Sequence, residues 1–288
     1  KALEALVLGG ALDSFESMHR AQYFVEDNNQ SFISKALKFG KNYQESLNSN
    51  QTSLFGEGSK VETPKPIIPD AERWSSIHEL KREKEVIGIY ISGHPLDDYK
   101  IDIRSFCNGD TTFINNVESY RNREFTLAAI ITDSENRYTR KGDPYGMITI
   151  EDYEDTARIP FFGTDYGKFK EFMINGAFVF IKGKIMPKKW KQDEFQFKVL
   201  NMELLSELRS KKASGLEIFL PIELINMNII DEIDNLFKQN EGRFLVKFNI
   251  TDIANNITVE MPSRSRKVDI SDNLLKSLDK QGIEYKLV

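Results

Sequence analysis

Phe125-Thr126-Leu127-Ala128-Ala129-Ile130-Ile131 is the stretch whose reading decides the fold. Phe125, Leu127, Ala129 and Ile131 alternate with Thr126, Ala128 and Ile130, the period of two that belongs to a strand. Everything recognisable before it has helical spacing, so the architecture changes here. Downstream, a loop over 133–144 leads to a strand at 145–151, a turn at 152–155 and a strand at 156–162. A short helix at 166–173 follows, then strands at 178–186 and 194–200. Five strands with one helix between the third and fourth is the order of an OB barrel. In the fourth strand Val179, Ile181 and Ile185 face one way, and Phe178, Phe180, Lys182 and Lys184 the other. That second side is too apolar to be simply wet, so part of it is expected to pack on a neighbouring unit.

Upstream, a helix over 2–8 stops at Gly9-Gly10, and Asp13 or Ser14 is expected to cap a second helix carrying Met18, Ala21, Phe24 and Val25. A third puts Phe32, Ile33, Ala36, Leu37 and Leu47 on one side. A polar linker with Pro64, Pro66 and Pro69 follows, and Asp70 is expected to cap a long helix through Trp74, Ile77, Leu80 and Ile87. Ser92-Gly93-His94-Pro95 breaks it. Past a charged helical segment at 203–212, strands at 216–220, 243–250, 256–261 and 283–287 alternate with helices at 221–239 and 271–281. The expected fold class is multidomain α+β. A helical unit spans 1–47, a linker 48–70, a helix-and-loop connector 71–111, an OB-fold barrel 112–205 and a small α+β domain 213–288. No internal repeat is evident.

A chain of 288 residues is long enough for two or more compact units. Its 40% hydrophobic and 29% charged residues describe an ordinary folded protein. The net charge of −5 argues against coating DNA by bulk electrostatics, so nucleic-acid contact must come from local patches and be modest and salt-sensitive. The single cysteine, Cys107, excludes an internal disulfide and fits a reducing compartment. No apolar run is long enough to span a bilayer and no signal peptide opens the chain, which makes the cytoplasm the default. Helix from Ala2 onward leads us to expect that the chain begins inside a larger protein.

Two features carry functional chemistry. In the linker, Gln51, Ser53, Leu54 and Phe55 place two large apolar side chains among polar and glycine residues with no amphipathic period. Such a pair either captures a pocket on a partner or folds back on its own helices, and the residues leave both readings open. In the barrel, the first loop offers Arg137, Tyr138, Arg140 and Lys141, and the strands Tyr145, Arg158 and Phe162. The loop before the fifth strand offers Lys188, Lys189, Trp190 and Lys191. Cations interleaved with aromatics suit phosphate contact and base stacking. The bland alternative is a solvated loop on a structural barrel, since Asp133, Glu135, Asp143, Glu151, Asp152, Glu154 and Asp155 dilute the field. Those last acids read as solvated turn chemistry. His19, His78 and His94 are scattered, no phosphate loop is present and Cys107 has no His partner, so no catalytic or metal site is expected.

The residues also carry a resemblance. Gly10-Ala11-Leu12-Asp13-Ser14-Phe15 with Arg20 is followed by Gln-x-x-Leu-Phe-Gly, Trp74, Glu83-Lys84-Glu85 and Gly88-Ile89-Tyr90-Ile91-Ser92-Gly93-His94-Pro95-Leu96-Asp97. Then come Ala129-Ile130-Ile131-Thr132, Thr139, Lys141-Gly142 and Met147-Ile148-Thr149-Ile150-Glu151-Asp152. Together they resemble the C-terminal part of the bacterial replicative DNA polymerase III alpha-subunit family, over residues 1 to about 205 by motif and beyond by element order. The resemblance implies a segment of a DNA-directed DNA polymerase, a nucleotidyltransferase of DNA replication. It implies that Gln51, Ser53, Leu54 and Phe55 dock in the sliding clamp (beta subunit), and that the barrel contacts single-stranded DNA template. It implies that the last domain meets the clamp-loader tau subunit. Residues 1–47 then read as the trailing helices of a helix-hairpin-helix region. The catalytic aspartates and their Mg2+ are implied only upstream, with no cofactor in this segment and no membrane partner. Two rivals stand beside it: an OB-fold RNA-binding module of an aminoacyl-tRNA synthetase, and a purely protein-binding scaffold.

Overall fold

A computed structural model describes residues 1–15, 17–48, 64–188 and 191–288, and divides them into two compact units, Lys1–Asp97 and Asp98–Val288. The peptide Gln51, Ser53, Leu54 and Phe55, together with Lys189 and Trp190, lies outside the described residues.

In the first unit, α1 (Ala2–Leu8) and α2 (Arg20–Tyr23) are followed by a small hairpin of β1 (Glu26–Asp27) and β2 (Gln30–Ser31). Asn28 and Asn29 turn that hairpin at φ 53 and 59, the left-handed conformation that asparagine tolerates. Two longer helices complete the unit, α3 (Phe32–Asn48) and α4 (Ser76–Ile87). Two expectations are corrected. Residues 64–75 are not helical, because Ser75, in extended conformation, caps α4 by accepting from the His78 amide. That places Asp70 before the helix. The extended segment docks on α2 through His19 Nε2 to the Ala71 carbonyl at 3.1 Å, Gln22 to the Pro69 carbonyl at 2.9 Å, and the Trp74 ring stacked on Phe24. Nor does Asp13 cap a helix: its carboxylate is taken by Arg20, 2.6 Å from Nη2, and α2 starts only after His19.

Arg20 is the hub of this unit. It is 4% exposed and donates through Nη1 to the Leu8 carbonyl at 3.2 Å and to Glu83 Oε2 at 3.3 Å. Glu83 is completely buried and also accepts from the Ser92 amide at 2.7 Å, the Ser92 hydroxyl at 2.6 Å and the Ile91 amide. Gly10, at φ +81, is required because a Cβ there would lie 2.3 Å from Arg20 Nη2. Asp97 closes the next turn by accepting from the His94 amide at 2.7 Å. Asp13, Arg20, Glu83 and Ser92 thus meet in one ionic network centred on buried Arg20 and Glu83.

The second unit opens with α5 (Lys100–Phe106) and α6 (Thr111–Asn115). A five-stranded antiparallel sheet follows: β3 (Glu124–Tyr138), β4 (Pro144–Glu151), β5 (Thr156–Phe162), then α7 (Gly163–Phe169), β6 (Phe178–Lys188) and β7 (Lys191–Leu204). The spatial order is β5-β4-β3-β6-β7. Side chains from both edge strands, Ile159 and Phe161 on β5 and Val199 and Met202 on β7, join one core with Leu127, Ile131 and Ile181, so the sheet curls on itself. The loop expected over 133–144 is shorter than anticipated, because β3 continues to Tyr138 after a bulge. Asp152 is not a solvated turn residue: it is 8% exposed and accepts from the amide and hydroxyl of Thr111, both at 2.7 Å, pinning the turn to α6. Burial pushes the Cys107 thiol up to about 12, which leaves it protonated and inert at neutral pH.

The apolar outer face of β6 is covered within this unit by Tyr99, whose ring lies 5.1 Å from Phe178, and by α8 (Leu205–Lys212), whose Lys212 sits over Phe180. The chain then builds a four-stranded sheet from β8 (Gly215–Pro221), α9 (Met227–Gln239), β9 (Glu241–Asp252), β10 (Ile257–Val268), α10 (Asp272–Lys280) and β11 (Glu284–Leu287). The order is β10-β9-β8-β11, with β8 and β9 parallel and joined through α9. The helix expected from Pro221 starts later, because Asn226 caps it by accepting from the Ile229 amide at 3.0 Å. Arg209 on α8 joins the pieces: it donates to both oxygens of buried Asp102 on α5 at 2.8 and 2.6 Å, and to Asp272 on α10 at 2.7 Å. Burial opposes its charge, yet these carboxylates hold its pKa above the ordinary arginine value.

Burial works to raise the Glu83 pKa, but the hydrogen bonds from Ser92, Ile91 and Arg20 overturn this and hold the carboxyl below its usual range. Its ionised form therefore adds stability above the ordinary glutamate pKa of about 4.3, and that contribution disappears as pH falls through the depressed folded value. Arg20→Ala, which strands a buried carboxylate, is expected to destabilise the first unit by about 3–5 kcal/mol in urea titrations followed by Trp74 fluorescence. Glu83→Gln should flatten the acid limb of melting temperature against pH. An acid limb as steep as wild type would contradict this assignment.

Candidate nucleic-acid interface

The bulge between Ile131 and Asp133 positions the candidate surface. Before it, Phe125, Leu127, Ala129 and Ile131 point into the core. The extra residue, Thr132, shifts the phase by one, so Asp133, Glu135 and Arg137 leave the core side. Registers across β3, β4 and β5 then align three rows of side chains: Arg137 with Tyr145 and Phe162, Glu135 with Met147 and Pro160, and Asp133 with Thr149 and Arg158. Successive rows are about 6.6 Å apart along the strands. On β5 the alternation is strict, with Arg158, Pro160 and Phe162 exposed and Ala157, Ile159 and Phe161 buried.

The first row is an aromatic platform. Tyr145 and Phe162 are stacked at 5.2 Å between centroids with planes 20° apart, and Phe162 is 54% exposed. Arg137 stands beside them, in contact with Glu135. A flat apolar surface bordered by a guanidinium can stack a base and hold its phosphate. The carboxylates of Asp133 and Glu135 lie within this face, and Met147 and Pro160 form its middle; the sequence reading missed these last two, which only cross-strand register reveals.

Not every candidate joins the platform. Arg140 and Lys141 are exposed in the tight turn over 139–143, where Gly142 takes φ +86 and its amide donates to the Thr139 carbonyl at 2.9 Å. Tyr138, 76% exposed, follows Arg137 on the strand and so projects to the opposite side. Arg158 ends the third row, two rows from the aromatics. Lys188 is paired with Glu194 at 2.7 Å, and with Lys191 it holds that carboxyl below the usual range. Strand pairing does not bring Lys188 beside Arg137, because β6 extends past the first residue of β3 whereas Arg137 lies near its last. Among the described residues no cluster of three or more His, Cys, Asp or Glu could hold a metal ion, and no helix is long and apolar enough to cross a membrane.

Residues 216–288 match the family model described as the DNA polymerase III alpha subunit, C-terminal domain. The DNA polymerase III subunit alpha of Pseudomonas aeruginosa is 23% identical over 98% of this chain, which covers 24% of that protein. The corresponding subunit of Aquifex aeolicus is 24% identical over 99% of the chain, covering 22% of that protein. The chain therefore spans about a quarter of the length of these curated relatives. Among solved structures, the mitochondrial single-stranded DNA binding protein Rim1 of S. cerevisiae aligns with 29% of this chain and 94% of its own, at 13% identity and a TM-score of 0.21, too low to bear on the fold. What these sheets and helices define is a mixed α+β segment. Along nearly its whole length the chain is similar to the C-terminal part of bacterial DNA polymerase III alpha subunits.

Adjacent phenylalanines on β5 distinguish core from platform. Phe161, 2% exposed and packed on Phe169, should lose about 3–5 kcal/mol of stability on truncation to alanine. Phe162→Ala should lose far less, about 1 kcal/mol or under, because half its surface is already wet. Chemical denaturation of the two variants checks the assignment; equal losses would refute it.

Proposed function

We propose that this chain is the template-handling and replisome-contacting region of a bacterial replicative polymerase alpha subunit. On this reading the DNA-directed polymerase activity, with its aspartates and Mg2+, belongs to a part of the parent protein outside this chain. The curled five-stranded sheet serves as an OB-type barrel that guides single-stranded template. Gln51, Ser53, Leu54 and Phe55 moor the enzyme to the sliding clamp, and residues 213–288 engage the clamp-loader tau subunit. Similarity to alpha subunits over almost the whole chain supports the parentage.

The observation that carries the template reading is the stacked Tyr145–Phe162 pair on an exposed sheet face with Arg137 beside it. At a net charge of −5, stacking rather than bulk attraction must supply much of the affinity. Base stacking contributes about 1–3 kcal/mol per base. Tyr145→Ala with Phe162→Ala should therefore weaken binding of a labelled oligothymidine by roughly tenfold or more in fluorescence anisotropy at low salt. Unchanged affinity would remove the barrel from the template path.

Leu54 and Phe55 can each contribute about 1.5–3 kcal/mol when buried in a partner's cleft, together about 3–6 kcal/mol, so reaching the roughly 8 kcal/mol of a micromolar complex also takes hydrogen bonds from Gln51 at the pocket rim. Leu54→Ala with Phe55→Ala should abolish measurable binding to a purified clamp by calorimetry. If the doubly substituted chain binds as well as wild type, the tether is elsewhere.

A further inference from the structure

Glu135 and Arg137 are two residues apart on β3, leave the sheet on the same face, and touch through carboxylate and guanidinium. The side chains are partly exposed, at 37% and 57%, although the carboxylate oxygen that meets the guanidinium, Glu135 Oε2, is itself covered. The carboxylate occupies the row next to the aromatic pair, opposite Met147, while Arg137 lies opposite Tyr145. Asp133 follows one row further on, so the charges along this face of β3 run plus, minus, minus, and Arg158 supplies the next cation only across the sheet. A strand stacked on Tyr145 and Phe162 therefore has one cation within its own row, and that cation is already engaged.

A carboxylate and a phosphodiester both present anionic oxygens that a guanidinium grips through its forked N–H groups. We propose that Glu135 is an internal competitor for backbone phosphate: in the free protein it takes the position on Arg137 that a phosphate takes when single-stranded nucleic acid lies on the platform. The phosphate must displace it, and the displaced carboxylate then faces the same backbone. Both effects lower affinity without touching the stacking surface. Both also speed exchange, because Glu135 recaptures Arg137 as soon as the phosphate lifts. A surface over which a strand slides needs a weak, quickly renewed grip. This inference rests on the template-binding reading above.

The test is a double-mutant cycle on the full 288-residue chain, with fluorescein-labelled oligothymidine as probe and anisotropy as readout. Glu135→Gln keeps the shape and removes the charge. It should tighten binding about three- to tenfold at roughly 50 mM salt. In an Arg137→Gln background the same change should alter affinity by less than about twofold, since the contested cation is gone. Unchanged or weaker binding by Glu135→Gln overturns the proposal. So does an equal gain in both backgrounds, which would make Glu135 only part of the general negative field. Loss of only this effect leaves the template reading intact. Failure of both wild type and Glu135→Gln to bind oligothymidine at low salt overturns the template reading and this inference together.

Discussion

The phase of β3 is the constraint on which the curled sheet and its outer face depend. This strand pairs with β4 along its second half and with β6 along its first, so both halves of the sheet are referenced to it. Side chains alternate strictly along a strand, and a strand of this length without interruption would carry one set of residues inward from end to end. The bulge at Thr132 inserts the single extra residue that reverses this. Phe125 to Ile131 can then supply the core while Glu135 and Arg137, of the same parity, stand outside. Apolar packing at one end and a charged, aromatic-lined face at the other are thus consequences of one local irregularity.

Elsewhere, buried guanidinium–carboxylate pairs do the joining that apolar contact alone does not. In the first unit Arg20 and Glu83 bring the C-terminal end of α1, the interior of α4 and the turn at Ser92 to one point. In the second, Arg209 and Asp102 fasten α8 to α5, and the Asp272 contact adds α10. A buried charge without a partner is strongly unfavourable, so such pairs specify which segments meet even where they add little net stability. This gives a physical account of residues that read as motifs. Gly10, Asp13, Arg20, Glu83 and Ser92 hold one another, and their pattern reflects packing of the unit.

The candidate interface has a mixed character that suits a modest and reversible grip. As a proposed stacking surface, the paired rings of Tyr145 and Phe162 would be sequence-tolerant, because every base has a face to offer. Its cations are few, and the one beside the aromatics shares its position with a carboxylate. Arg140 and Lys141 in the neighbouring turn can add charge from outside the face. On the proposed reading, an acidic chain with such a surface would hold a strand by contact with bases more than by the long-range field that draws polycations to DNA.

Periodicity alone determined a good deal about this protein. Alternation marked the strands, helical spacing marked α3, α9 and α10, and the order of five strands around one helix is the order observed. These features are local, set by which side chains recur on one face of a regular backbone. Interleaved cations and aromatics also singled out residues 137, 145 and 162, which strand register aligns in one row. What escaped were the effects of partners distant in sequence. Asp13 and Asp152 looked like caps or wet turns, but Arg20 and Thr111 had claimed them. Met147, Pro160 and the Glu135–Arg137 contact were illegible because facing depends on a bulge, whose one-residue shift leaves no mark on composition. Local sequence determined what each segment is; only the tertiary structure decided which charges neutralise one another and which face of β3 meets water, since both are set by side chains brought together through strand pairing and burial.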